Sequence, residues 1–463
     1  MAAKTLIINY SVTMSGLEDQ LLNVVLGHER EDLQAQREEL IQTISRNSIT
    51  LVELEDSVLR ELSDAQGNIL DNAVLIATLK DTKAKTSAIG DQLVESTATK
   101  AEIEKVTDSY RASARRGAIL FFALSALGAV SSMYEFSLVS FIEVFSKALG
   151  DAPRAPEVPQ RLAHIISVLT RSVYEYVCTG IFECHKLMFS TQMTTMIMDG
   201  EGRLDRAGLE FFLKGNIALG DVDRPRPADW IPEAGWKDLH RLVTLGAEAA
   251  GGVESPFAGL LADIETGLEA WKEWFDLERP EDRPIPGCTV PASGGSGSRA
   301  ASANPNNRNS AGKRQLDAFQ SLLVLRCFRP DRVLSALKNF IVAEMGSDYF
   351  VQPPVLKYDR ILQQSSALTP VVFILSPGAD PLSELQTLAK AHGFFPQKFK
   401  SLALGQGQSK IAEKILEMGY HRGHWVVLQN AHLLSSWLKT LEILLQGMTK
   451  PDPAFRLEFD TRQ

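Results

Sequence analysis

Cysteine is scarce in this sequence: Cys178, Cys184, Cys288 and Cys327 are four thiols in 463 residues, and none forms a Cys-x-x-Cys pair. That excludes a disulfide scaffold, argues against structural zinc and suits a reducing compartment. A basic excess is also lacking. Lys and Arg number 48 against 57 Asp and Glu, a net charge of −9 that is unsuited to coating nucleic acid. The longest apolar stretch, residues 118–130, falls short of the roughly 20 residues a bilayer span needs. It reads as a buried helix even with Arg115 and Arg116 before it. The opening residues are no signal peptide, because the apolar run there is too short and residues 4–11 read as a buried strand. At 44% hydrophobic and 23% charged, the composition is that of a soluble globular chain, long enough for two to four domains.

Residues 29–106 lack Pro, Trp, Phe and Tyr altogether, and hold 9 basic against 16 acidic residues, so most of the net negative charge sits there. What remains is patterned. Leu33, Leu40, Ile44, Leu51, Leu54, Val58 and Leu62 recur at steps of three, four or seven. After a break, Leu79, Thr82, Thr86, Ile89, Leu93, Ser96, Lys100 and Ile103 alternate steps of three and four. Such spacing is the heptad seam of paired helices, here with weak Thr, Ser and Lys positions in the second arm. Between the arms, Gly67, Asn68, Ile69 and Asp71 mark a tip, since Gly and Asn tolerate left-handed backbone. The expectation is two antiparallel helices of roughly 35 residues, about 50 Å long at 1.5 Å per residue. A single long dimerising helix is the alternative.

The flanking segments differ in kind. A short amphipathic helix with Leu17, Leu21, Leu22 and Val25 inward precedes the arms, and residues 111–200 read as a helical bundle interrupted at Pro153, Pro156 and Pro159. Residues 199–205 resemble a calcium loop, but Arg203 and Leu204 occupy positions that need a ligand and a Gly, so a helix start at Asp205 is expected instead. Trp230, Trp236, Trp271 and Trp274 are read as packing residues in a helical segment 205–284. Residues 291–314 contain no large apolar side chain and are expected to be a disordered linker. Beyond it, strands at 371–375, 399–404, 425–428 and 454–457 alternate with helices, which argues a parallel sheet with crossover helices.

The chemistry expected of that module is also missing. A triphosphate site needs a Gly-rich turn whose backbone N–H groups and Lys hold phosphate, and a second strand ending in acids that hold magnesium. The turn here is Ser376, Pro377, Gly378, Ala379 and Asp380 followed by Pro381: it has no Lys, Asp380 repels phosphate, and the prolines remove two donors. The second strand ends in Gln429 and Asn430. Both halves of the chemistry are absent from an architecture in the right order, so the module is read as P-loop-like, without catalysis. The run 405–408 is Gly-rich and follows a strand, yet lacks a third Gly. Cys184 beside His185 is expected to be a packed thiol, and His421, His424 and His432 are spaced wrongly for a metal triad.

These motifs resemble the dynein heavy chain motor. The run from Asn9 to Leu22 is similar to the end of the large part of the motor's fifth AAA+ module, and the run 66–71 to the tip of the coiled-coil strut that props the microtubule-binding stalk. The runs 375–381, 405–408 and 425–433 resemble the sixth module, which is degenerate in the family. The resemblance implies a mixed α and α/β fold: a long antiparallel coiled-coil hairpin and a helical bundle, then a degenerate P-loop (AAA+) module. Its implied divisions are 1–27 (end of the fifth module), 28–110 (strut), 111–204 (helical small part), 205–284 (lead-in), 285–314 (linker or insertion) and 315–463 (large part of the sixth module). It implies part of an ATP-driven, minus-end-directed microtubule motor, closer to axonemal than cytoplasmic members, located in the cytoskeleton of a cilium or flagellum. Implied partners are the rest of the heavy-chain ring and stalk, intermediate and light chains, and the microtubule indirectly, with no nucleic acid and no membrane. ATP and magnesium belong to the parent motor's other modules, so no cofactor, metal or catalytic residue is expected in this segment. The linker at 291–314 and the ending after Leu457 depart from the family pattern. A nucleotide-binding regulatory module and a free-standing coiled-coil adaptor are the alternative functions.

Overall fold

A computed structural model describes residues 12–64, 73–215, 224–249, 255–289, 314–352, 358–376 and 378–462. The expected strand at 4–11, the tip residues Gly67, Asn68, Ile69 and Asp71, most of the linker 291–314, and Pro377 lie outside these residues. The chain divides into two compact units, Met1–Pro354 and Val355–Gln463.

The first unit is helical. Its helices are α1 (Met14–Glu29), α2 (Glu31–Asp64), α3 (Ala73–Ser109), α4 (Arg111–Ser125), α5 (Leu138–Asp151), α6 (Val158–Gly180), α7 (Glu183–Gly200), α8 (Arg206–Lys214), α9 (Glu233–Ala249), α10 (Leu260–Thr266), α11 (Leu268–Phe275), α12 (Ala318–Phe328) and α13 (Val333–Met345). Two short parallel strands, β1 (Cys288–Thr289) and β2 (Arg314–Gln315), pair beside them. The Thr13 hydroxyl caps α1 by accepting from the Gly16 N–H at 3.2 Å, and Leu17, Leu21, Leu22, Val25 and Leu26 are buried. The apolar stretch expected to be a buried helix falls on α4 as far as Ser125, with Ile119, Leu120, Phe121 and Leu124 in the core; beyond it Ala126–Ala129 form a single 3-10 turn in which Leu127 is buried and its neighbours are exposed. Gly117 lets α4 approach closely, because a Cβ there would stand 2.6 Å from Phe145 and 2.9 Å from Leu21. Asp205 begins α8, its carboxylate accepting from the Ala207 N–H at 3.0 Å. Trp236, Trp271 and Trp274 are buried, and Trp271 stacks on Phe328 at 5.1 Å. Residues 315–352, which the sequence groups with the α/β module, pack into this unit. Phe319, Leu322, Leu323, Leu325 and Phe328 are all buried, so α12 is apolar around most of its circumference and belongs in a helical core.

The long helices α2 and α3 pack along one another. On α2 the less exposed residues are Leu33, Arg37, Leu40, Ile44, Asn47, Leu51 and Leu54, alternating steps of four and three; Gln34 and Thr43 flank that stripe. On α3 they are Thr82, Thr86, Ile89, Leu93, Ser96, Lys100, Ile103 and Thr107, again in fours and threes, with Gly90 beside them; Tyr110, just past the helix, continues the stripe. Most of the remaining surface is exposed, because a 3.5-residue repeat leaves a two-helix element with only one contact face.

The second unit is a parallel sheet of four strands, β3 (Val371–Leu375), β4 (Phe399–Ala403), β5 (Trp425–Gln429) and β6 (Arg456–Arg462), in the order β3-β6-β5-β4. Its helices are α14 (Tyr358–Gln364), α15 (Pro381–Ala391), α16 (Ser409–Arg422) and α17 (Ser435–Gly447). On one face Val426, Leu428 and Leu457 meet Ala412 and Leu416 of α16 and Trp437 and Leu441 of α17. On the other, Phe399, Trp425 and Val427 meet Leu385, Leu388 and Ala389 of α15. The last strand, read from sequence as a short piece at 454–457, runs to Arg462 and lies inside the sheet between β3 and β5. No helix among the described residues is long and apolar enough to cross a membrane.

Candidate functional site

In a parallel sheet whose strand order jumps, ligands bind beyond the carboxyl ends of the strands flanking the jump. Here those ends belong to β3 and β5, with β6 between them. After β3 comes the turn carrying Ser376, Gly378, Ala379 and Asp380. Gly378 takes φ +89°, which favours Gly, and the Ala379 N–H closes the turn on the Ser376 carbonyl at 3.1 Å. Asp380 is the N-cap of α15: its carboxylate accepts from the Leu382 N–H at 3.0 Å, and Pro381 fills the first helical position. The helix end that would receive a phosphate therefore already holds a fixed carboxylate of the chain itself.

After β5, Asn430 adopts left-handed backbone at φ +56°, a conformation its short amide side chain tolerates. Its N–H donates to Asp460 Oδ1 at 2.6 Å. Asp460 lies on β6 beside Glu458, and both are buried. Sequence reading passed over both. Their signal was the alternation Arg456, Glu458, Asp460, which puts three charged side chains on one face of a central strand.

Glu458 Oε2 is buried without a partner, as is Arg456 Nε. Burial pushes the Glu458 carboxyl up to about 7, against the opposing pull of Arg456. Burial, then the carboxylates of Glu384, Glu458 and Asp380, also raise the Tyr358 hydroxyl above its ordinary value. Asp380 and Glu384 at the start of α15 thus place negative charge beyond β3. A raised carboxyl is uncharged in the fold at low pH and costs stability once ionised, so stability falls as pH rises from about 4.5 through 7. Glu458→Gln is expected to be more stable than the parent by roughly 2–3 kcal/mol at pH 8, with the gain vanishing near pH 4.5. Chemical denaturation at the two pH values checks this, and a gain equal at both would refute it.

Gly405, Gln406, Gly407 and Gln408 lie between β4 and α16, with Gly407 at φ +80° and no side-chain cap on the helix. Cys184, expected to be packed, is exposed, because it sits on the first turn of α7 away from the core; His185 Nδ1 meets the buried Tyr134 hydroxyl at 2.7 Å. No cluster of three or more metal-ligating side chains occurs among the described residues.

A second region with built-in chemistry lies in the first unit, where α2 and α3 leave the bundle. Glu29, the last residue of α1, receives two hydrogen bonds from Arg161 of α6, Nε to Oε2 at 3.0 Å and Nη2 to Oε1 at 2.5 Å. The same guanidinium donates to the carbonyls of Leu149, Ala152 and Pro153. Arg161 is 4% exposed, and all five of its donors are used within this clamp. It holds the Glu29 carboxyl below the ordinary carboxylate range, with burial opposing and His28 assisting. Sequence reading missed Arg161, although it stands four residues before Ile165 on the stripe continued by Leu169 and Val173. At the other elbow, Arg111 at the start of α4 pairs with Glu18 at 3.1 Å, Asp19 at 3.0 Å and Asp108 at 3.0 Å. Beside the Arg111 elbow is a polar cavity of about 290 Å³ lined by Asp19, Asn23, Arg37, Glu104, Thr107 and Arg111, among others.

Comparison with known proteins agrees with this layout. Residues 366–462 match the family model described as dynein heavy chain region D6 P-loop domain, and residues 1–89 match the ATP-binding dynein motor region. The chain is 47% identical over 464 aligned positions, its full length, to the dynein-1-alpha heavy chain of the flagellar inner arm I1 complex of Chlamydomonas reinhardtii. It is 43% identical over 99% of its length to human dynein axonemal heavy chain 10, and 34% identical over 98% to mouse dynein axonemal heavy chain 2. In each case it spans about a tenth of the relative's length.

Proposed function

The chain belongs to the dynein heavy chain family, in the motor region shared with axonemal members, and on that premise we propose that it is a relay and scaffold segment of the motor. In this reading α2 and α3 form an antiparallel coiled-coil strut that carries nucleotide-driven changes of an AAA+ ring to the microtubule-binding stalk. The second unit keeps the P-loop architecture without turning ATP over. Its partners are the rest of the heavy chain, the intermediate and light chains and, through the stalk, the microtubule of an axoneme.

The observation that carries the reading is the contact stripe of α2 and α3, rooted in the bundle at both elbows. Residues from the start of α2 and the end of α3 line one cavity, which supports opposite directions for the two helices. A relay needs such roots, because a lever transmits only what its base passes on. For the second unit, the carboxylate of Asp380 on the α15 N-terminus supports a scaffold role.

Calorimetric titration of the purified chain with ATP and ADP in magnesium tests the scaffold half. No binding is expected. Micromolar binding would mean that residues 376–380 or 405–408 hold phosphate without a Lys, and a regulatory nucleotide site would replace the scaffold reading. A helix break in α2 of a full-length motor tests the relay half.

A further inference from the structure

Among the described residues, eight buried side-chain polar atoms lack a hydrogen-bond partner, and two of them belong to residues that line the cavity beside the Arg111 elbow: Arg37 Nε of α2 and Thr107 Oγ1 of α3. Thr107 is 3% exposed, so bulk solvent does not satisfy its hydroxyl. Arg37 donates one hydrogen bond, Nη1 to Asn23 Oδ1 at 2.9 Å, and no carboxylate pairs with its guanidinium among the described residues. Buried polar groups without partners are uncommon and costly, so two on one cavity mark a place where an acceptor belongs.

The rest of the polar lining carries the opposite sign. One guanidinium, that of Arg111, is shared by three carboxylates, Glu18, Asp19 and Asp108, so negative charge is in surplus there. Asp19 and Asp108 line the cavity, as does Glu104, whose carboxylate stands 3.6 Å from Lys100; all three acids are open to solvent and so to a molecule entering from it. Buried Leu22 supplies an apolar wall. The cavity thus holds a cation short of a carboxylate and carboxylates short of a cation. We propose that it binds a small zwitterion of the free α-amino acid class. The ligand carboxylate accepts from Arg37 and Thr107, and its ammonium donates to Asp19, Glu104 and Asp108. Charge decides against the simpler ligands. Phosphate brings up to two negative charges beside three carboxylates, and a plain amine leaves Arg37 and Thr107 unmet. The volume of about 290 Å³ admits a small organic molecule. Because the lining comes from α1, α2, α3 and the first residue of α4, a bound ligand ties both long helices to the bundle. This goes beyond the relay reading and stands whether or not the segment transmits anything.

The test is calorimetric titration of the full chain at pH 7 with four probes: glycine, its two halves acetate and methylammonium, and inorganic phosphate. Glycine is expected to bind with a Kd of about 0.1–1 mM, which an efficient ligand of so few atoms can reach. Either half, and phosphate, should bind at least about tenfold more weakly, since each forfeits a charge-assisted hydrogen bond or adds repulsion. Thr107→Val keeps the volume and removes the hydroxyl, and Arg37→Gln removes the cation; each should weaken glycine by about tenfold or more, whereas Thr107→Ser should stay close to the parent. Circular dichroism checks that each variant folds. If Thr107→Val or Arg37→Gln does not, exposed Glu104→Gln carries the test: it should weaken glycine and strengthen acetate. Three results overturn the proposal: no glycine binding, a half or phosphate that binds as tightly as glycine, or glycine binding unchanged in the folded variants. None of these outcomes depends on ATP turnover or on microtubules, so failure here leaves the relay reading standing.

Discussion

Leu54→Pro in a full-length dynein heavy chain is expected to leave basal ATP turnover near its parent value and to abolish stimulation by microtubules. Leu54 lies on the contact stripe of α2, well inside that helix. Proline there removes the hydrogen bond from residue 54 to residue 50, and its ring clashes with that carbonyl, together costing about 3 kcal/mol or more. The side chain packed against α3 is lost as well. Among the described residues the helix pair meets the bundle chiefly at its base, through α1 and α4, so the damage is expected to stay local and basal turnover to survive. Leu54→Ala is the paired control: it removes packing but keeps the helix, and should retain most of the stimulation. Turnover measured with and without microtubules separates the cases. Full stimulation in the proline variant would sink the relay reading.

Removing the guanidinium at the root should have the largest effect on stability. Arg161→Ala leaves the half-buried Glu29 carboxylate without its two charge-assisted bonds and takes the guanidinium donor from the Leu149 and Ala152 carbonyls at the end of α5, while the Pro153 carbonyl keeps His164 Nδ1. Breaking one side of a buried pair costs about 3–5 kcal/mol. Lysine is a poor substitute, since one ammonium has three donors and no planar fork. The pH dependence follows from Glu29. Its carboxyl is held below 4.5 in the fold, so the stability it contributes is present above that value and is lost as pH falls through the depressed one. The gap between parent and variant should therefore be wide at pH 7 and narrow progressively in acid. Thermal unfolding at pH 7 and pH 3 reads this, and an equal gap at both would mean that Arg161 acts through packing alone.

Much of the architecture was legible because it rests on periodicity. Apolar residues at steps of three and four fix which face of α3 is covered, and runs of β-branched residues followed by Gly or Asn fix the parallel strands. Three features were not legible, and each has a physical reason. Arg37 and Asn47 occupy covered positions on α2 but are polar, so a search for apolar residues stepped over them. Glu458 and Asp460 sit in a central strand, a place that charged residues rarely occupy, so the strand looked as though it ended at Leu457. Helix α12 carries apolar residues on nearly every side. Such a segment fits any core, and only the three-dimensional contacts with Phe211, Phe212 and Trp271 say which. The turn at 376–380 was legible as chemistry, through its missing Lys and added Asp. That Asp380 turns back to cap its own helix depends on backbone geometry, which composition does not encode.

The clamp at the base also constrains how the protein is made. Glu29 and Arg161 are 132 residues apart in sequence. A ribosome adding roughly 5–20 residues per second needs on the order of ten seconds to deliver the second partner after the first. During that interval α2 and α3 have both emerged, yet the elbow that roots them has no guanidinium to close it. A seam weakened by Thr, Ser, Asn and Lys is then all that holds the two helices together. Nascent chains stalled before residue 161 should be cut by protease near Glu29 far more readily than chains stalled beyond residue 180, where α6 is complete.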